Sequence, residues 1–141
     1  MSKTGPIIIV DDDEEDQEMA REIIRDLGYS NKVVTFSSCE EAYNYLVANI
    51  SIPFFIIICD INLPRMNGIE LKRKVDSNDA LRKSAIPFVY YSTSGNKHII
   101  EKAYQNLVQG FFVKDTSMSE MKESFQLIFS YWMKCKHPNS E

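Results

Sequence analysis

Asp60 follows an apolar run that is typical of a strand buried on both faces, residues 54–59 with the sequence FFIIIC. An ionised carboxylate at the end of such a strand is partly desolvated, which costs free energy unless a cation or a hydrogen-bond donor lies beside it. The next basic residue in the sequence is Arg65. We therefore expect that more distant segments of the chain supply the partners of Asp60.

Other polar residues also follow apolar runs. Carboxylates that lie close together raise one another's pKa unless a cation intervenes. Oxygen ligands with open positions suit Mg²⁺, or Mn²⁺, which keeps several waters and binds one or two carboxylates together with a phosphate. A lysine and a serine hydroxyl would hold the anion. We thus predict a site for a divalent metal and for a phosphoryl group on Asp60. The candidates are Asp11, Asp12, Asp13, Asn62, Ser92, Thr93 and Lys114.

The hydrophobic pattern predicts the elements that would position these residues. Segments with apolar residues at helical spacing predict five helices, and capping-box signatures begin at Ser38 and at Ser117. The polar residues 76–85 are predicted as a loop. Strands alternating with helices indicate an α/β fold with a five-stranded parallel sheet and five helices on both faces. The predicted strands are residues 7–10, 32–36, 54–59, 87–91 and 110–113.

In open parallel sheets, ligands bind outside the carboxyl ends of the strands, and the candidate residues all lie there. The length of 141 residues predicts one domain with a core over about residues 7–133, short tails at 1–6 and 134–141, and no output domain. Output is therefore expected through a protein contact or through onward phosphotransfer.

Composition argues against several classes of partner. The net charge of −4 disfavours binding to nucleic acid or to an anionic membrane, because both need clustered basic residues. The longest apolar run is too short to span a bilayer, and the first residues lack the layout of a signal peptide. Three cysteines without metal-ligand spacing indicate reduced thiols. These features predict a cytoplasmic protein.

Four motifs in order resemble the receiver domain of two-component response regulators: IIIVDD, CDINLPRMNG, YYST and FFVK. The resemblance covers about residues 7–129. The segments RMNGIELKRKV and IPFVYYSTSGN are particularly similar to single-domain regulators that partner bacteriophytochromes and other sensor kinases. The resemblance implies a flavodoxin-like strand order, 2-1-3-4-5.

The resemblance also implies a role for each site residue. Asp60 would accept the phosphoryl group, and the metal would be bound by Asp60, by Asp12, by the backbone carbonyl of Asn62 and, through a water, by Asp11. Lys114 and Ser92 would contact phosphoryl oxygens. The remaining implied roles are a pocket kept open by Thr93, a rotating switch aromatic at Phe111, and tuning of phosphoryl hydrolysis by Asn62 and Ser94.

The implied partners are a sensor histidine kinase or a phosphotransfer protein, and a downstream protein bound by the fourth predicted helix, the fifth strand and the fifth helix. The stripe of the last helix, which ends in Phe129 and Trp132, is longer than one domain needs and suggests a homodimer. The protein is not expected to be an enzyme, beyond its own phosphorylation and slow dephosphorylation.

The sequence departs from the family at Lys114-Asp115, where the family usually has Lys-Pro with a cis peptide bond. A cis bond before a residue other than proline costs about 3–4 kcal/mol, against less than about 1 kcal/mol before proline. We therefore expect either a trans bond with a reshaped loop or a cis bond retained at that cost. Asp115 also adds a carboxylate that is able to compete for Lys114.

Simpler interpretations remain for several residues. Asp13 is interpreted as the N-cap of the first helix, and Cys59 as a small buried strand residue. The acidic residues Glu14, Glu15, Asp16 and Glu18 are interpreted as a solvated helical face.

Three other functions are possible. A degenerate receiver would bind partners without phosphorylation, although no acidic residue or lysine of the pattern is missing here. A phosphatase of the haloacid dehalogenase type would place its nucleophile after the first strand as D-x-D. A flavodoxin-like cofactor binder would need a phosphate loop after the first strand, where this chain has three aspartates.

Overall fold

The computed structural model describes residues 2–93 and 95–137. Its strands form one parallel sheet in the order β2-β1-β3-β4-β5, which confirms the predicted α/β class and strand order. The third strand begins two residues later than predicted. The strands are β1 (Ile7–Val10), β2 (Val33–Phe36), β3 (Ile56–Cys59), β4 (Phe88–Ser92) and β5 (Gly110–Val113).

Six helices lie within the described ranges, one more than the five predicted from the sequence. Both predicted serine N-caps are found, because the Ser38 and Ser117 hydroxyls accept from backbone N–H groups three residues ahead. The fourth and fifth predicted helices are α5 and α6 of the structure. The helices are α1 (Glu14–Asp26), α2 (Cys39–Ala48), α3 (Gly68–Ser77), α4 (Asp79–Ser84), α5 (Lys97–Gln105) and α6 (Met118–Lys134).

The additional helix is α4, which lies in the stretch predicted as a loop. Asn78 caps it by accepting a hydrogen bond from the backbone N–H of Leu81 at 3.0 Å. Leu81 is the buried residue of this helix, and Ala85 ends it in the left-handed conformation with φ of 53°. A six-residue helix with one apolar anchor has too few residues to produce a periodic hydrophobic signal.

Helices cover both faces of the sheet, as predicted. On one face, α1 and α6 pack against β1 and β3 through residues such as Ile23, Phe125 and Phe129. On the other face, α2, α3, α4 and α5 contribute to a second cluster with residues such as Leu46 and Leu71. Every residue of β1 and β3 is buried, which explains their continuous apolar sequences.

Two further observations concern the whole described chain. None of its helices is long and apolar enough to cross a membrane. None of its peptide bonds is cis, so the bond between Lys114 and Asp115 is trans. Of the two alternatives that the sequence left open for this bond, the structure therefore has the first.

Candidate functional site

Asp11 and Asp60 lie side by side because their strands are neighbours. Val10, the last residue of β1, is paired with Cys59, the last residue of β3, so each aspartate is the next residue along its chain. Only 6% of Asp11 and 7% of Asp60 is exposed. Asp12 is exposed, and carboxylate oxygens of the three aspartates lie within 4.8 Å of one another. Adjacent strand ends thus gather three carboxylates.

Local hydrogen bonds orient the carboxylates. The backbone N–H of Asp13 donates to Asp11 Oδ1 at 2.9 Å, and the backbone N–H of Asn62 donates to Asp60 Oδ1 at 3.2 Å. The carboxylate of Asp13 instead accepts from the backbone N–H groups of Glu15 and Asp16. Asp13 is therefore the N-cap of α1, as predicted.

Gly68 allows the first turn of α3 to approach Asp60 closely. A Cβ atom at position 68 would lie 2.4 Å from the backbone carbonyl oxygen of Asp60. The backbone N–H of Gly68 donates to the carbonyl of Ile61 at 3.0 Å, which holds the loop after β3 against this helix. Any larger residue at position 68 would push the loop that carries Asp60 out of place.

Cys59 is a small buried strand residue, as interpreted from the sequence. Its thiol is fully buried and donates a hydrogen bond to the carbonyl oxygen of Asp60 at 3.0 Å. Burial, followed by a hydrogen bond with Cys39, raises the pKa of the Cys59 thiol well above its usual range. The residue next to Asp60 therefore stays neutral.

Lys114 brings a positive charge to the three carboxylates. Its backbone N–H extends the pairing of β5 with β4 by donating to the carbonyl of Ser92 at 2.9 Å. Its Nζ atom lies 2.7 Å from Asp11 Oδ2, 2.8 Å from Asp16 Oδ2 and 3.2 Å from Asp60 Oδ2. The ammonium group therefore bridges the ends of β1, β3 and β5 to the first turn of α1.

The pKa values at this bridge reflect burial and charge. Burial raises the pKa of Asp11 although hydrogen bonds from Lys114 and from the backbone of Asp13 lower it. Burial lowers the pKa of Lys114, but hydrogen bonds with Asp11 and Asp16 outweigh it, so that this pKa is raised overall. Lys114 is therefore a permanent cation at neutral pH, and it neutralises only part of the charge around it.

Ser92 contacts the second oxygen of the Asp60 carboxylate. Its hydroxyl donates to Asp60 Oδ1 at 2.6 Å, and the residue is fully buried as the last residue of β4. Thr93, the next residue, is exposed at the rim. Ser94, for which a role in hydrolysis was predicted, lies outside the described residues. Asp60 is thus contacted by Ser92 through Oδ1 and by Lys114 through Oδ2.

Phe111 lies on β5 and is half-buried rather than exposed. Its ring packs against the ring of Tyr90 on β4, with 5.9 Å between the ring centroids. The side chain therefore rests against the core cluster to which α2, α3, α4 and α5 contribute. The aromatic side chain at this position therefore contacts β4 two residues before Ser92.

Within the described part of the chain, the Asp115 carboxylate is paired with hydroxyl groups and not with the Lys114 ammonium group, so the competition suggested by the sequence is not observed. Its carboxylate accepts from the Tyr91 hydroxyl at 2.9 Å and from the Ser124 hydroxyl at 2.8 Å. Its backbone N–H, which a proline lacks, donates to the Tyr91 hydroxyl oxygen at 3.1 Å. The residue after the lysine therefore ties the trans loop to β4 and to α6.

The interpretation of Asp16 as part of a solvated face was wrong. Its side chain is only 26% exposed, and it forms the 2.8 Å contact with Lys114. The sequence contained a signal for this position, because Asp16 is four residues before Ala20 and eight before Ile24, which are both buried. Helical spacing of three or four residues puts Asp16 on the same face of α1 as that stripe.

The donor set fits a divalent cation. Three carboxylates lie around one position, and a single lysine ammonium is the cation in contact with two of them among the described residues. Oxygen donors of this kind suit Mg²⁺ or Mn²⁺. The chemistry that these residues offer is therefore electrostatic, because carboxylates, an ammonium group and a hydroxyl surround Asp60.

Comparisons with known proteins agree with this geometry. The family model described as the response regulator receiver domain matches residues 7–126. The chain is 27% identical over 132 residues to chemotaxis protein CheY-3 of Vibrio cholerae, covering 92% of this chain and 95% of that protein. It is 25% identical over 131 residues to the probable methanogenesis regulatory protein FilR2 of Methanothrix harundinacea, covering 90% of this chain and 83% of that protein.

The solved structures include close matches in fold. The structure of the phosphorylated cyanobacterial phytochrome response regulator RcpA superposes with a TM-score of 0.85 at 28% identity, covering 95% of this chain and 98% of that one. The structure of the Mn²⁺-bound form of response regulator Rcp1 has a TM-score of 0.81 at 22% identity, covering 94% and 98% of the two chains. At 22% identity, the match to Rcp1 shows only that the two chains share a fold.

Proposed function

Because the chain belongs to the response regulator receiver domain family, we propose that it is a phospho-accepting receiver of two-component signalling. In this proposal Asp60 takes a phosphoryl group from a sensor histidine kinase or a phosphotransfer protein. The observation that carries the proposal is the pair of contacts on Asp60, where Ser92 holds Oδ1 and Lys114 approaches Oδ2. Both partners are donors that would suit phosphoryl oxygens equally well.

The metal in this proposal is Mg²⁺ or Mn²⁺. Asp12 and Asp60 would bind it directly, together with the backbone carbonyl of Asn62, and Asp11 would bind it through a water. When bound, the metal neutralises charge on the transferred phosphoryl group. The surplus of carboxylates over cations at this edge of the sheet supports the assignment.

The residues of the chain supply positioning and charge. A carboxylate nucleophile has no proton to give up, so that no general base is needed for the transfer. Lys114 neutralises an oxygen of the incoming group, and Ser92 turns its hydroxyl from Asp60 to that group. Thr93, at the exposed rim, leaves room for the group to enter. Hydrolysis of the product would be slow, with its rate set by Asn62 and Ser94.

The same contacts suggest how phosphorylation would change a surface. A phosphoryl group adds roughly −1.5 to −2 charge, which draws Ser92 and Lys114 toward it. Ser92 ends β4 and Lys114 follows β5, and Phe111 lies earlier on β5, opposite Tyr90. The change would shift the balance between two packings of the face formed by α5, β5 and α6. Tyr104 and Val113 are exposed on this face and would contact a downstream protein.

A second copy of the chain is a further proposed partner, through α6. Leu127 is 66% exposed and Tyr131 is 62% exposed, and both lie one turn apart on the outer side of this helix. Trp132, on which the sequence prediction relied, is half-buried, so that Tyr131 replaces it as the exposed aromatic. An exposed apolar pair of this kind is a feature of contact surfaces.

The remaining parts of the proposal concern the chain as a whole. We propose that residues 7–133 fold and act as one receiver unit, in the cytoplasm. The free thiols of Cys39, Cys59 and Cys135 support a reducing compartment. No turnover of an external substrate is proposed. The alternative of a degenerate receiver would keep the interaction surface but not the phosphorylation.

Incubation with acetyl phosphate tests the proposal. We expect one phosphoryl adduct in the intact mass when Mg²⁺ is present, and none when Mg²⁺ is removed with a chelator. The Asp60→Ala variant should give no adduct, whereas Asp79→Ala, which removes an exposed aspartate from α4, should react like the parent. A parent protein that stays unmodified with Mg²⁺ would favour the degenerate receiver.

A further inference from the structure

Asp16 contacts the site lysine without belonging to the candidate metal cluster. That cluster consists of Asp11, Asp12 and Asp60. Lys114 Nζ lies 2.8 Å from Asp16 Oδ2, nearly as close as its 2.7 Å contact with Asp11 and closer than its 3.2 Å contact with Asp60. An ammonium group has three N–H donors, and these three carboxylates account for them. Asp16 therefore takes one donor away from the metal-binding carboxylates.

The first turn of α1 holds Asp16 in this position. Asp16 is the third residue of the helix, and its backbone N–H donates to the carboxylate of the N-cap Asp13 at 3.3 Å. One turn later, Ala20 is buried against the sheet, so the helix cannot rotate Asp16 away from the site without losing that contact. The neighbouring Gln17 donates its side-chain amide to the backbone carbonyl of Asp11. Hydrogen bonds of Asp16 with Asp13 and of Gln17 with Asp11 thus fix the first turn of α1 beside the site.

We propose that Asp16 is a positioning residue that shares the Lys114 ammonium group with Asp11 and Asp60 and thereby strengthens the binding of a divalent cation to those two carboxylates. This inference rests on the proposed function. Removing Asp16 would weaken cation binding in two ways. Without the Asp16 carboxylate, the ammonium group keeps only the two metal-binding partners and competes with the cation for them. Loss of one negative charge beside the site also weakens its attraction for a cation.

The arrangement predicts coupling between Asp16 and Lys114. Removing Asp16 matters chiefly because Lys114 then gives all its donors to Asp11 and Asp60, so the same removal has little effect when Lys114 is absent. An ordinary surface charge would instead weaken cation binding to the same extent in both backgrounds. Contacting charged residues show coupling of this kind, whereas distant ones act additively.

The test is calorimetric titration of the full chain with Mg²⁺, at fixed ionic strength and without a phosphoryl donor. We expect Asp16→Asn to raise the Kd for Mg²⁺ about five- to tenfold, within the range of coupling between contacting residues. Glu15→Gln removes the same charge from an exposed neighbouring position and should change the Kd less than about twofold. Asp16→Glu retains a carboxylate, and its Kd should stay within about twofold of the parent value.

The double variant decides whether Asp16 acts through the lysine. In a Lys114→Met background, Asp16→Asn should raise the Kd by less than about twofold. Equal fold changes in both backgrounds, or a Kd that Asp16→Asn leaves unchanged, would overturn the inference while leaving the proposed function intact. A parent that binds no Mg²⁺ would overturn both. Circular dichroism of each variant confirms that α1 is retained.

Discussion

The two sides of the site are positioned in different ways. Asp60 follows β3, a central strand between β1 and β4 whose four residues are all buried. Lys114 follows β5, an edge strand whose last residue, Val113, is 53% exposed. The acceptor side therefore owes its position to backbone pairing and packing in the middle of the sheet. The lysine side has one backbone hydrogen bond to Ser92 and otherwise depends on side-chain contacts at the edge. These are the contact of Lys114 with Asp16 and the hydrogen bonds that the Asp115 carboxylate accepts.

This difference bears on function. In the proposed function, burial and backbone pairing would keep Asp60 in place for in-line transfer, where small displacements are costly. A lysine after a less buried strand would be able to follow an added phosphoryl group, and its movement would reach α6 through the contacts of Asp115 with Tyr91 and Ser124. The part of the site proposed to move is thus on the side nearest the proposed readout surface.

The largest expected difference is in the free energy of unfolding, between a substitution in β3 and one in β5. Ile57→Ala in β3 should lower the free energy of unfolding by about 3–4 kcal/mol, because it leaves a cavity in a fully buried position. Val113→Ala in β5 should change it by less than about 0.5 kcal/mol. Urea unfolding monitored by circular dichroism measures both values. Similar losses for the two variants would show that the ends of β3 and β5 are held equally firmly.

The second effect concerns the charge of Lys114. Lys114→Met should destabilise the metal-free protein by about 2–3 kcal/mol, because three carboxylates lose their shared partner. Saturating Mg²⁺ should restore part of this loss, since a cation that binds the folded state stabilises it. Lys83→Met, at an exposed position of α4, is the control and should have little effect. A metal-free Lys114→Met protein as stable as the control would contradict the electrostatic account.

A smaller effect is expected from the contacts of Asp115. Ser124→Ala removes one hydrogen bond to that carboxylate and should cost about 1 kcal/mol of unfolding free energy relative to Ser130→Ala. Ser130 is exposed on the same helix, so that both substitutions change helix propensity equally. Thermal unfolding of the two variants measures the difference. Identical midpoints would show that α6 is not held by this loop.

The smallest effect is a pH dependence on the acceptor side. Burial raises the pKa of Asp11 above its ordinary value of 3.8, so the folded protein holds this proton more tightly than the unfolded chain does. Stability from this group is complete below pH 3.8 and is lost as pH rises through the folded-state pKa. In metal-free buffer, Asp11→Asn should therefore gain stability relative to the parent across that window. A difference that stays constant with pH would contradict the prediction.

The same comparison explains what the sequence predicted well. Central strands must be continuous apolar runs, so β1 and β3, and the aspartates that follow them, are evident from residue type alone. The strand order followed from the family resemblance. The edge of the molecule was harder to predict. Helix α4 has one buried apolar residue, and the roles of Asp16 and Asp115 depend on contacts with Lys114 and Tyr91 that are distant in sequence.

The account depends most on Asp60 being the residue that carries the phosphoryl group, among several aspartates at the same edge of the sheet. Reduction with borohydride after treatment with acetyl phosphate and Mg²⁺ converts an aspartyl phosphate to homoserine, which peptide mass mapping locates. We expect the conversion at position 60 alone. Conversion at Asp11, Asp12 or Asp13, or at no aspartate of a protein that binds Mg²⁺, would contradict the account.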